Sequence, residues 1–175
     1  MLALPPLPDV PDLTIRPARA RDRMAVGRLL ERSYSELLTE DYPTPILAAA
    51  LPLMTRANPE LLMLPTYFVA LCGGEVVAVG GWSATLLRSG QGAADVGHVR
   101  HVACDPDWLR RGVTRAVMEQ SFDSARVAGI RLLSCLSTRT AAPFYRSLGF
   151  EVVGEVELRM GPGVFFPVVE MRKLL

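Results

Sequence analysis

The sequence predicts one α/β (α+β) domain, a mixed sheet with helices packed on it. Three observations lead there. Short β-rich runs alternate with longer stretches whose apolar residues recur at helical spacing. The 175 residues are enough to bury a core without disulfide or metal staples. Glycine and proline punctuate the chain at short intervals, with no internal repeat, low-complexity tract or interior linker.

The elements follow in order. Residues 1–12 carry four prolines and read as an N-terminal arm outside or across the fold, leaving 13–175 as the domain. Leu13, Thr14, Ile15 and Arg16 alternate as a half-buried strand does. Asp22 is placed to cap a helix whose inner face is Val26, Leu29, Leu30, Ser33 and Leu37, running to about Leu38. Thr44 and Pro45 suit a second helix start, with Ile46, Leu47, Ala50, Leu51 and Met54 on it and Pro52 expected to kink or shorten it.

Strands at 67–71 and 76–82 flank a turn in which Gly73 and Gly74 supply positive φ, which predicts a hairpin. Residues 88–93 read as a surface loop and 96–104 as a further strand, stopped by Asp105 and Pro106. A helix then opens at about Gly112, carries Val113, Ala116, Val117 and Gln120 on one face, and closes at Gly129. A strand at 132–136, a short helix at 141–148 ended by Gly149, and strands at 151–158 and 165–171 complete the chain.

Composition narrows the function. Half the residues are hydrophobic and 21% charged, too apolar for disorder, with no run long enough to cross a bilayer. The formal charge of +1 offers no broad field for nucleic acid, so neither nucleic acid nor membrane is an expected partner. Cys72, Cys104 and Cys135 are far apart in apolar runs, which reads as reduced core thiols rather than a metal site. The N-terminus lacks a cationic start and is rich in proline, unlike a secretory signal, so a cytoplasmic location is expected.

The segment 104–118 carries the chemistry. A strand, a turn holding Arg110, Arg111 and Gly112, and a helix start form an anion site: unpaired N–H groups and the helix dipole favour negative charge, and glycine lets a phosphate approach the backbone. Alone, the same pattern also fits a solvated helix start. It matches neither the P-loop nor GxGxxG.

The whole stretch resembles the GNAT superfamily of acyl-CoA-dependent N-acyltransferases, whose signature after the fourth strand is Q/RxxGxG/A. Here Leu109, Arg110, Arg111, Gly112, Val113 and Thr114 occupy it, with Leu109 in place of glutamine or arginine and Thr114 in place of a small residue. A second element, Ala141 to Phe150 (AAPFYRSLGF), resembles the AxxFYxxxGF near the end of such domains, and Thr138 stands where many members have asparagine.

The resemblance implies a mostly antiparallel central sheet of six or seven strands flanked by about four helices. It implies acetyl-CoA as cosubstrate, no metal, and an unidentified primary amine of a small molecule or peptide as acceptor, with a homodimer left open. The expected cofactor-binding residues are Val102, Ala103, Cys104, Arg110, Arg111, Gly112, Val113, Thr114, Arg115, Thr138 and Phe144. The reaction implied is direct attack of the amine on the thioester in a ternary complex. The alternative is a catalytically degenerate acyl-CoA-binding sensor or partner domain, which Leu109 and Thr114 motivate.

Such a reaction needs a base, because an amine of pKa about 10.4 is only about 0.1% neutral near pH 7.4. His98 is the candidate, since it falls where related enzymes place a catalytic carboxylate; strand alternation points His101 to the opposite face. Tyr145 corresponds to the family's general acid near the CoA sulfur. Candidate acceptor-wall residues are Tyr34, Glu36, Tyr42, Trp82 and the 88–93 loop, with Glu36 or Asp41 as possible partners of a cationic acceptor.

Overall fold

A computed structural model of the chain describes residues 10–84 and 94–175. Seven strands form one sheet: β1 (Thr14–Pro17), β2 (Tyr67–Cys72), β3 (Glu75–Ser83), β4 (Val96–Cys104), β5 (Leu132–Ser137), β6 (Glu151–Gly161) and β7 (Val164–Leu174), in the order β1-β2-β3-β4-β5-β7-β6. Every neighbouring pair is antiparallel except β4 and β5. Five helices pack on it: α1 (Arg23–Leu37), α2 (Thr44–Met54), the single turn α3 (Pro59–Leu62), α4 (Val113–Val127) and α5 (Ala142–Ser147).

The two faces are covered by different helices. On one, Val26, Leu29 and Leu30 of α1 and Leu61 and Leu62 of α3 pack against Tyr67, Val69, Val79 and Ala103. Nearer the β6–β7 hairpin, Leu47 and Ala50 of α2 meet Phe166 and Val168 of β7. On the other, Val113, Val117, Met118 and Phe122 form the buried stripe of α4, each large side chain contributing about 1.5–3 kcal/mol by leaving water. Trp82 joins that layer, its indole N–H donating to Ser124 Oγ at 2.7 Å.

Several local expectations change. Asp22 is the N-cap residue of α1 but its carboxylate makes no capping bond there; it accepts from both terminal guanidinium nitrogens of Arg16 at 2.8 Å and from the Arg19 amide, because an arginine fork outcompetes a helix-end N–H. Pro43, rather than Thr44, is the N-cap of α2, and that helix continues through Pro52 to Met54. The turn α3, built by Asn58 accepting from the Glu60 amide, escapes the sequence reading because four residues are too short for periodicity. Residues 10–12 lie against the β2 end, where Cys72 Sγ donates to the Pro11 carbonyl at 3.3 Å.

One irregularity in β4 matters for the site. Gly97 faces Trp82 and Leu133, and Val99 packs in the same α4-side cluster. Farther along, Val102 and Cys104 are again on that side and Ala103 on the other. Odd residues face α4 before position 101 and even residues after it, so the strand carries one extra residue. His101 sits there with φ 35°, opposite the register shift between Val79 and Gly81.

Candidate functional site

Strands β4 and β5 pair only over Val96–His98 and Leu132–Ser134. Beyond those rungs β4 is held by β3 alone and β5 by β7 alone, so the parallel pair opens like a V. Into the opening runs a cavity of about 850 Å³, with Val99, Val102 and Ala103 on one wall and Cys135, Ser137 and Thr138 on the other. The volume is within the range of small-molecule and cofactor sites. The unpaired edge of β4 can hydrogen-bond an extended, amide-containing ligand as a missing strand would.

At one end the cavity meets the start of α4. Gly112 is the N-cap in the left-handed region, φ 77°, and Arg110 two residues earlier has φ 60°. A turn of this kind aims successive N–H groups to one side, and the helix dipole adds to their positive potential. Arg110 and Arg115 line the cavity here. Arg115 also donates to Ser147 Oγ at 3.0 Å, joining α4 to α5 across the mouth. Arg111 turns away and stacks over Trp108 at 4.8 Å from the ring centroid, so it is absent from the cavity wall.

Arg32 of α1 braces this turn. Its guanidinium donates to both oxygens of Asp105 at 2.8 Å, to Asp107 at 2.9 Å and to Glu36 at 3.1 Å. These acids hold the Arg32 charge on by raising its pKa, Asp107 first. Asp105 also accepts from the Asp107 amide at 2.9 Å, so one carboxylate ends β4 and orients the turn leading to Gly112.

Deeper in, polar groups meet on apolar surroundings. Tyr145 of α5 is buried, edge-on to Phe144 and Phe150, with its phenol beside the Cys135 thiol. Burial raises the Tyr145 pKa well above the usual phenol value, so the hydroxyl keeps its proton. Burial likewise pushes the Cys135 thiol up to about 12, which removes it as a nucleophile. Tyr34 enters from α1, its pKa also raised by burial. His101 lines the same space, and burial first, then Arg100, lowers its pKa and keeps the imidazole neutral.

Of the residues singled out in the sequence, the fold brings Val102, Ala103, Cys104, Arg110, Gly112, Val113, Thr114, Arg115, Thr138, Phe144 and Tyr145 to this one cavity. Arg111 and His98 are not in its wall. His98 is paired with Ser83 and Ser134 on the rungs before the strands diverge, and the bulge delivers His101 instead. Thr138 spends its hydroxyl accepting from the Ala141 amide at 3.1 Å, which starts α5.

Among the described residues of the proposed acceptor wall, only Tyr34 lines the cavity. Tyr42 is committed elsewhere, donating to the Pro167 carbonyl and accepting from the Arg139 amide, both at 2.8 Å. Trp82 is in the core, Glu36 is paired to Arg32, and residues 88–93 lie outside the described residues.

Sequence reasoning missed Thr140 and Ser137. Thr140 Oγ1 is the one buried side-chain polar atom without a partner among the described residues, and Thr140 lines the cavity. An orphaned hydroxyl at the wall suits a ligand with its own hydrogen-bonding groups. No sequence signal separates it from any threonine in a turn. Among the described residues no group of three or more His, Cys, Asp or Glu is placed to hold a metal ion, and no helix is long and apolar enough to cross a membrane.

Comparison with known proteins places these observations. Residues 64–152, just over half the chain, match the family model of the acetyltransferase (GNAT) domain. Among solved structures, a GCN5-related N-acetyltransferase (aminotransferase, class-II) from Rhodopseudomonas palustris superimposes with TM-score 0.76 at 17% identity, covering 97% of this chain and 99% of that one. The PaiA N-acetyltransferase from Thermoplasma acidophilum, in complex with coenzyme A, gives 0.68 at 12% identity over 93% and 99%. The putative acetyltransferase YncA from Salmonella typhimurium, with acetyl-CoA, gives 0.62 at 20% identity over 93% and 94%. No curated protein matches the chain in sequence. At these identities the solved structures establish a shared fold.

Proposed function

The chain belongs to the GNAT acetyltransferase family, and from that membership we propose that it moves an acetyl group from acetyl-CoA to a primary amine of a small molecule or peptide by direct attack in a ternary complex. The observation that carries this reading is the continuity of one cavity from the Gly112 turn, along the unpaired edge of β4, to Tyr145. A pyrophosphate suits the N–H groups of the turn with Arg110 and Arg115. An amide-bearing arm suits the open strand edge, with the Thr140 hydroxyl free to join it.

In this reading the N–C bond forms as the C–S bond breaks, and one proton must be handled. His101, neutral and at the cavity wall, accepts the proton that the nitrogen of a neutral amine loses as it becomes an amide, and the sulfur departs as thiolate; His98, outside the wall, is replaced in that role. Tyr145 donates a hydrogen bond to the departing sulfur. Its raised pKa makes full transfer to a thiolate uphill, so the phenol stabilises the leaving group chiefly as a hydrogen-bond donor. Cys104, with its thiol raised by burial, does not carry the acyl group.

The test joins binding to turnover. Acetyl-CoA at about 100 times its dissociation constant stabilises the fold by about 2.7 kcal/mol, and free CoA thiol accumulates on addition of an accepted amine. Tyr145→Phe keeps the thermal shift and lowers kcat about 100-fold. Absence of any shift with acetyl-CoA or CoA refutes the proposal; a shift without thiol release from any amine points to an acyl-CoA-binding domain without turnover.

A further inference from the structure

Past Tyr34, at the end away from the Gly112 turn, the cavity walls become apolar. Leu37 of α1, Leu53 and Met54 of α2, and Leu158 and Met160 of β6 surround this end. The two sides touch: a Cβ placed on Gly161, at the end of β6, would stand 3.6 Å from Leu53 Cδ1. The α2 end and the β6–β7 hairpin thus close a chamber from opposite sides of the cavity.

Charge is distributed just as unevenly. Among the described residues no Asp or Glu lines the cavity, and residues 85–93 contain none in sequence. The carboxylates nearest in sequence to the chamber walls are placed elsewhere. Glu36 is paired to Arg32 and Glu155 to Arg139, while Asp41 and Glu157 are exposed. The cavity's arginines, Arg110 and Arg115, stand at the turn end, and His101 is held neutral. An ammonium in the chamber would find no counter-charge, and an unpaired buried charge is strongly disfavoured.

Resting on the acetyl-transfer reading, we propose that this chamber is the acceptor subsite and that it selects an amine of low basicity carried on an apolar body. Such amines enter already neutral: an α-amine of pKa 7.7–8.0 is roughly 20–33% neutral near pH 7.4, against about 0.1% for a lysine side chain. The apolar body fills the space between Leu53 and Leu158, and the amine is left near Tyr34 and His101. Polyamines and lysine side chains carry a charge the chamber cannot pair.

Thiol release by the full chain with acetyl-CoA tests this across matched acceptors. Phenylalanine amide and 4-methylaniline supply an apolar body on an α-amine and on an aryl amine. Glycine amide is weakly basic without the body, and Nα-acetyl-lysine amide and spermidine are cationic. The expected kcat/KM for one or both apolar acceptors is at least tenfold above glycine amide and a hundredfold above the cations, and the better of the two identifies the source.

Leu53→Glu, at a 36% exposed position that tolerates charge, lowers the apolar rate at least tenfold while keeping the acetyl-CoA thermal shift. Saturation transfer from CoA-loaded protein to the phenyl ring of phenylalanine amide, lost in Leu53→Glu, reads the subsite whether or not transfer occurs. Equal or better rates with the cations overturn the inference, as does no advantage over glycine amide. Each of these leaves acetyl transfer standing, whereas loss of the acetyl-CoA shift removes the underlying reading instead.

Discussion

Thr114, in the first turn of α4, sets its hydroxyl beside the thiol of Cys104, the last residue of β4; burial raises the pKa of that thiol and the hydroxyl moderates the rise. Where the family pattern has a small residue, this chain has a branched side chain whose polar atom is turned back onto the strand. The contact ties the helix start to the strand end and leaves the backbone amides of the turn to a ligand. Side-chain bulk at position 114 is therefore compatible with the anion cradle.

Thr114→Val tests that arrangement. It removes the hydroxyl and keeps the shape, so acetyl-CoA affinity by calorimetry changes less than about threefold, and stability changes by no more than about 1 kcal/mol. Gly112→Val does the opposite. A β-branched residue at φ 77° is strained by about 1–3 kcal/mol and puts a side chain in the cradle, so acetyl-CoA binding weakens at least tenfold.

The two histidines separate by mutation. His101→Ala lowers kcat about 100-fold at neutral pH, and His98→Ala changes it less than about threefold. In the parent, kcat/KM falls on the acid side through an apparent pKa below the usual histidine value of about 6.5, because burial lowers that of His101. The same shift has a stability consequence. The unfolded chain takes up the proton more readily than the fold, so stability declines as pH falls through the unfolded value toward the folded one, and His101→Ala flattens that decline.

Asp22 governs acid sensitivity at the other end of the molecule. The hydrogen bonds from Arg16 lower its pKa, so its stabilisation is complete above about pH 4 and is lost as pH falls through the folded value. Asp22→Asn destabilises the protein at pH 7 by roughly 1.5–3 kcal/mol in thermal or urea melts. The difference from the parent shrinks at about pH 2, and a difference that persists there refutes the assignment.

Much of the site was legible because it is local. Gly112 must adopt positive φ to open α4, and the period of Val113, Val117 and Phe122 orients that helix whatever lies around it. Tyr145 was singled out by the resemblance of Ala141 to Phe150 to the family motif, and the fold places it buried in α5. The three cysteines were likewise readable as unpaired thiols from their spacing.

What the sequence did not show were the facings and contacts that packing imposes. Strand alternation set His101 on the face opposite His98, and one extra residue at position 101 reverses the facing of everything after it. Arg111 looked equivalent to Arg110 until Trp108 supplied a ring to stack on. Asp22 looked like a cap until Arg16, six residues earlier, reached it first.

The sequence by itself determined the α/β domain and the strand-turn-helix with its glycine, because these rest on periodicity and on φ preferences that act within a few residues; the aromatic pair Phe144 and Tyr145 stood out through the resemblance of residues 141–150 to the family motif. Only the tertiary structure decided which histidine reaches the cavity, that β4 and β5 part after their first rungs, and that Leu53 and Leu158 line one chamber with no acid among its described residues. Those are relations between segments up to about a hundred residues apart, set by how layers pack rather than by any local preference.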